Sequence, residues 1–127
     1  MRNTPELIDH MKPDEVFVFG SNTAGIHGAG AALLAKQRFG AIKGQGIGIQ
    51  GRSYAIPTKG MQLEVLPLST IQNYVNDFIS FTRRTPELKF YVTKIGCGLA
   101  GYTVEDIAPM FKQHSIPDNV WLPVEFW

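Results

Sequence analysis

The sequence predicts an α/β fold, and three observations predict it. Apolar strand-like runs alternate with stretches of helical periodicity along the 127 residues. All thirteen glycines fall between residues 20 and 60 or between 96 and 101. Each of those two windows opens directly after a strand-like run and leads into a helical one.

Taken in order, Leu7, Ile8 and Met11 behind Thr4 and Pro5 predict a short helix over 5–12, capped by Thr4. Glu15–Phe19 holds the continuous apolar run Val16-Phe17-Val18-Phe19, as in a strand buried on both faces. A loop follows over Gly20–Gly30. Ala31–Phe39 reads as a helix closed by Gly40, with Lys36 and Arg38 in its last turn. Residues 43–51, with Gly44, Gly46, Gly48 and Gly51, read as a flexible connection. Ser53–Pro57 is a short strand ending at proline, followed by Thr58-Lys59-Gly60. From Leu68 to about Arg84, apolar residues recur at 68, 71, 75, 78 and 79, which predicts an amphipathic helix that stops before Pro86. Phe90–Ile95 is the next strand. Thr103-Val104-Glu105-Asp106 resembles a capping box with Asp in place of Glu, and starts a helix to about Gln113. Asn119–Pro123 is a last short strand before an apolar tail ending at Trp127.

The length suits one domain over residues 1–127, large enough to bury roughly two-thirds of its unfolded surface. Hydrophobic residues make up 44% and charged residues 18%, which argues against disorder. A formal net charge of +1 lends no electrostatic support to a nucleic-acid partner. The single cysteine, Cys97, cannot form an intrachain disulfide and fits a reducing, cytoplasmic setting. The polar start MRNTPELIDHMKPDE lacks the apolar core of a secretory signal, and no apolar run approaches the roughly eighteen residues of a membrane span.

Glycine lets backbone N–H groups fold around an anion, so the two windows suggest a pair of jaws for phosphates or a nucleotide. Tight turns and close helix–sheet packing concentrate glycine equally well. Standard motifs fail. A GxGxxG fingerprint starting at Gly28 meets Leu33 where glycine is required, and GxxxxGK starting at Gly20 meets Ile26 where lysine is required. His10, His27, His114 and Cys97 are scattered, without zinc spacing, so neither a metal nor a cofactor is expected. Cys97 between Gly96 and Gly98 is either a small packed residue or a nucleophile that needs a base and a depressed pKa.

Two segments together resemble macro domains. Gly28-Ala29-Gly30-Ala31-Ala32-Leu33-Leu34-Ala35-Lys36-Gln37-Arg38-Phe39-Gly40 resembles their loop and first helix. Lys94-Ile95-Gly96-Cys97-Gly98-Leu99 resembles their second phosphate loop. The nearest type is the terminal ADP-ribose–protein glycohydrolase, in a compact bacterial and phage-associated branch. Asn22 upstream, a strand end at Thr58-Lys59 and a terminal strand at Val120–Pro123 keep the same order. The resemblance implies a three-layer α/β/α sandwich with a mixed central sheet that binds ADP-ribose or a related nucleotide diphosphate. It implies ligand contacts at Gly20, Ser21, Asn22, Gly25, His27, Gly28, Ala29 and Gly30 on the first loop. On the second it implies Gly96, Cys97, Gly98, Leu99, Ala100, Gly101 and Tyr102. Ligands of open α/β sheets do sit beyond the carboxyl ends of strands, and helix starts near Ala31 and Val104 offer unpaired N–H groups to anions.

By the same resemblance, Lys59 matches the catalytic lysine whose amine attacks the ribose anomeric carbon; a solvated loop lysine is the alternative. The carboxylate expected directly after Gly-Cys-Gly-Leu is replaced by Ala100, which cannot move a proton. Glu105 and Asp106 are the nearest substitutes, although helix-start chemistry already explains both. The first helix offers no aspartate at Gly30-Ala31-Ala32 either. Loss of general acid–base help commonly lowers rates about 10²- to 10⁴-fold. Asn22 is a ribose ligand or an Asx turn; Tyr102 is a ligand or a packing residue; Asp9 is the nearest carboxylate for a base. Three functions follow in order: a nucleotide-binding module, an ADP-ribosyl hydrolase working through Lys59, and a non-catalytic interaction protein. For the last, Val120–Trp127 is either a contact surface or a tail folded back onto the sheet.

Overall fold

The computed structural model describes all 127 residues. The elements are β1 (Glu15–Asn22), α1 (Gly30–Arg38), β2 (Gly48–Gln50), β3 (Ser53–Lys59), α2 (Leu68–Arg84), β4 (Lys89–Val92), α3 (Val104–Lys112) and β5 (Val120–Trp121), then a 3-10 turn at Val124–Phe126. The strands form one sheet in the order β2-β3-β1-β4-β5. β1 is parallel to both β3 and β4, β5 is parallel to β4, and β2 runs antiparallel on β3. The expected α/β fold with a mixed sheet is therefore present.

Alternation along the strands divides the core in two. Val16, Val18, Tyr54, Ile56, Phe90 and Val92 face Ile71, Val75 and Phe78 of α2 and Ile107 and Phe111 of α3. Phe17, Phe19 and Ala55 face Ala32, Ala35 and Phe39 on the α1 side. Helices thus cover both faces of the sheet. The buried residues of α1 are alanines, so its backbone approaches β1 closely. α2 buries the stripe Ile71, Val75, Phe78, Ile79 and Thr82, as its periodicity predicts.

The chain leaves β1 through α1 to reach β3 on one side, then crosses through α2 to β4 on the other side of β1. Connections that part around a central strand leave a crevice at its carboxyl end.

Several boundaries differ from expectation. Residues 5–12 form no helix. Arg2–Thr4 instead pairs with the end of β5: Thr4 N–H donates to Leu122 O at 2.8 Å, Leu122 N–H donates to Arg2 O at 3.1 Å, and the Thr4 hydroxyl donates to Val92 O at 2.7 Å. Leu7 is exposed. Eight residues are too few to offset helix nucleation unaided, and the sheet edge supplies the better partners. β1 continues through Gly20-Ser21-Asn22, which the glycine content marks as loop. The supposedly flexible 43–51 contains β2. β3 runs through Pro57 to Lys59, because β2 opposes only Ser53–Ala55 and the turn after β3 rejoins the edge only at Thr58 and Lys59, so no ladder donor is lost at proline. β4 ends at Val92, short of Ile95, and β5 is only two residues long.

The tail folds back onto the sheet. Val120, Leu122 and Phe126 are fully buried, and the Trp127 indole donates to Arg2 O at 3.1 Å. The Arg2 guanidinium lies 5.9 Å from the Trp121 and Trp127 rings. No helix is long and apolar enough to cross a membrane.

Candidate anion cleft

At the carboxyl ends of β1, β3 and β4 lies a cleft of about 540 Å³. Gly20, Ser21 and Asn22 of β1, Thr58 and Lys59 of β3, and Thr93 and Lys94 after β4 line it. Gly28, Ala29 and Gly30 line it from the first glycine loop, with Ala31 and Ala32 from the first turn of α1. Gly96, Gly98, Leu99 and Ala100 line it from the second. The two loops come together at one cleft because β1 is the shared neighbour of β3 and β4. The start of the second loop packs on Gly20, where a Cβ would lie 3.5 Å from the Gly96 nitrogen.

Both loops carry free backbone donors. None of the N–H groups of Gly28, Ala29, Gly30, Ala31 and Ala32 donates to another backbone group. The same holds for Gly96, Gly98, Leu99 and Ala100. Ala29 is the N-cap of α1 and supplies no side-chain cap, and no acid stands in the first turn. The positive end of that helix is therefore uncompensated. The start of α3 carries the capping box that its sequence predicts, and so lacks the free N-terminus also expected there. Thr103 and Asp106 close a reciprocal capping box, with Asp106 N–H donating to the Thr103 hydroxyl at 3.2 Å and Thr103 N–H donating to the Asp106 carboxylate at 3.0 Å. Glu105 and Asp106 further offset its dipole, so α3 does not present the free N-terminus that α1 does. Neither acid lines the cleft.

Polar side chains on the floor are already engaged. The Ser21 hydroxyl donates to Gly46 O, Thr58 to Ser21 O at 3.4 Å and Thr93 to Val18 O at 2.7 Å. The Asn22 amide donates to Ile26 O at 2.7 Å, and its oxygen accepts from Ile26 N–H at 2.9 Å. This clasp is the turn-forming role anticipated as the alternative for Asn22, here spanning four residues. Lys94 pairs with Glu125 on the 3-10 turn, and that carboxylate holds its ammonium above the usual lysine range. Lys59, half-buried at the end of β3, has no carboxylate within ion-pair distance. No Asp or Glu lines the cleft.

Five residues implied as ligand contacts do not line it. His27 is only 2% exposed. Its Nε2 lies 3.0 Å from both Ile42 O and Gln45 O, so that nitrogen carries the hydrogen and donates to the two carbonyls. Its Nδ1 is buried without a partner, and its ring meets Phe19 edge-on. Gly25, at φ +72°, lies against Gly44 and Gln45 with no room for a Cβ. Both residues fasten the first loop to the 42–46 segment, which acts as a buttress behind the cleft. Tyr102 packs on the α2–α3 core and donates to Leu66 O at 2.6 Å, so packing is its role. Gly101, at φ +84°, turns the chain into α3. Cys97 packs against the same core. Burial pushes its thiol above the ordinary range, by more than the nearby Lys94 charge pulls it down, opposite to what a nucleophile needs. Iodoacetamide at pH 7 is expected to alkylate Cys97 more slowly than free cysteine; a rate at or above that of the free amino acid would overturn this assignment. Asp9 pairs with His10 in a separate groove beside Glu15, at the amino end of β1.

Sequence reasoning missed Ile26, Ala31, Ala32, Thr58, Leu63, Thr93 and Lys94 as lining residues. Lys94 is adjacent to the second glycine window and was legible there. Leu63 had no sequence signal, because a hairpin turn after β3 delivers it.

Together these features define an α/β fold with an amide-rich cleft, free of carboxylates and holding an unpaired Lys59, at the carboxyl ends of its central strands. No family model, curated protein or solved structure matches the chain. No group of three or more His, Cys, Asp or Glu side chains is arranged to hold a metal ion.

Proposed function

We infer that the cleft binds ADP-ribose or a related nucleotide diphosphate, and that binding rather than hydrolysis is its task. One observation carries this reading: two glycine loops with unpaired backbone N–H groups line a single cleft that also holds two lysines and no carboxylate. Amides at the uncapped start of α1 suit one phosphate, and the Gly98-Leu99-Ala100 amides suit its neighbour. Lys59 supplies a cation to the pair. Its position also suits attack on a sugar carbon, but general acid–base chemistry needs a proton-transferring group within reach. With Ala100 in the wall and Asp106 committed to its capping box, the cleft presents no carboxylate for that role.

Calorimetry with ADP-ribose, ADP, NAD and cyclic nucleotides tests the proposal. Binding of at least one diphosphate is expected, and absence of heat with all of them up to millimolar concentration overturns it. Lys59→Ala is expected to weaken diphosphate binding about tenfold, as loss of one partly solvated charge-assisted hydrogen bond does. Unchanged affinity would show that the ammonium does not meet the anion. Release of ADP-ribose from a modified protein, lost in Lys59→Ala, would replace the binding reading with hydrolysis.

A further inference from the structure

Three apolar side chains stand at this cleft although solvent reaches them. Ile26, Leu63 and Leu99 are 48%, 44% and 74% exposed, and all three line it. They arrive from three separate connections: the loop after β1, the turn after β3 and the loop before α3. Leu63 is held there against its own backbone preference. It is the one non-glycine residue with positive φ, at 62°. A small hairpin fixes it, with Gly60 N–H donating to Glu64 O at 2.8 Å, Leu63 N–H to Gly60 O at 3.0 Å and Leu66 N–H to Thr58 O at 2.9 Å. A strained, solvent-exposed leucine at a binding cleft is more informative than an isolated one on the surface.

The rest of the lining is poorly equipped to read a base. It contains no aromatic ring to stack on one and no carboxylate to accept from an exocyclic amine. Each floor hydroxyl already donates to a protein carbonyl, and both ends of the Asn22 amide are engaged. The strongest donors left over are backbone N–H groups and the Lys59 ammonium, which suit phosphate oxygens.

We propose that the site is base-indifferent: it takes nucleoside diphosphates as a class, gripping phosphates through the glycine loops while Ile26, Leu63 and Leu99 cover the organic moiety by apolar contact alone. The proposal rests on the diphosphate reading above. Aliphatic contact rewards burial of any base or sugar face and discriminates little between bases. Affinity therefore rises from inorganic pyrophosphate to a nucleotide, but hardly changes from one nucleotide to the next.

Calorimetry on the intact chain with ADP, GDP, CDP, UDP and inorganic pyrophosphate is the test. The four nucleotides are expected to bind within about threefold of one another, and about tenfold or more tighter than pyrophosphate. A preference of about tenfold or more for one base overturns the inference and leaves the diphosphate reading standing. Failure of all five while ADP-ribose binds overturns the inference alone, and failure of ADP-ribose as well overturns the diphosphate reading with it. Leu63→Gly supplies a second readout, because glycine accepts the positive φ and the melting temperature is expected to hold. The nucleotide-to-pyrophosphate affinity ratio is expected to fall about fivefold. A folded variant with an unchanged ratio overturns the role of the apolar rim.

Discussion

Gly46→Ala is expected to destabilise the protein by about 3 kcal/mol, at the upper end of what overpacking costs. A methyl group built there would lie 2.0 Å from the Asn22 carbonyl oxygen and 2.9 Å from the Thr23 Cα. Those atoms are backbone at the end of β1, so no side chain can swing aside. The displaced strand end is also the floor of the cleft, and diphosphate affinity should fall with stability. Gly44→Ala is the internal control. Gly44 sits at φ +91° with nothing within 4 Å of its missing Cβ, so alanine there meets only the left-handed backbone penalty of about 1–2 kcal/mol. Urea unfolding midpoints compare the two directly. Equal losses would mean that the 42–46 segment does not press on β1.

Phe78→Ala is expected to cost about 3–5 kcal/mol, the range for emptying a fully buried aromatic site. The Phe78 ring is fully buried between the sheet and α3. Its centroid lies 5.0 Å from Tyr54, 5.6 Å from Phe90 and 6.3 Å from Phe111. Its removal leaves three rings facing a void that backbone cannot close, since they come from β3, β4 and α3. Burial pushes the Tyr54 phenol up to about 12, so it is neutral at pH 7. Denaturant unfolding of the variant measures the loss; a cost below about 1 kcal/mol would mean that the cluster repacks.

Much of the frame was legible in the residues themselves. α2 follows its apolar periodicity because Ile71, Val75, Phe78 and Ile79 form one stripe. The cap of α3 was legible because Thr103 and Asp106 stand three residues apart, and that spacing is local chemistry. Gly40 closes α1 in the left-handed region, at φ +79°, as a glycine after a helix does. These features depend on neighbours within one or two turns.

The errors share one cause, which is pairing with residues far along the chain. Nothing near Thr4 indicates that its hydroxyl meets Val92 rather than a helix start. β2 is only Gly48-Ile49-Gln50, and it exists because β3 offers an open edge. Gly20-Ser21-Asn22 looks like loop and is strand, because Ile56 and Pro57 lie alongside Gly20 and Ser21, and Lys59 meets Asn22 across a one-residue register shift.

The glycine windows marked the loops that meet at the cleft, because the absence of a side chain is written directly in the sequence. Which loop residues line the cleft was decided by tertiary structure: the 42–46 segment draws His27 and Gly25 away from it, and the turn after β3 brings Leu63 to it. Local periodicity and capping determine elements on their own, since they need only near neighbours. A cleft is the gap left when distant segments pack, so its lining exists only once they have met.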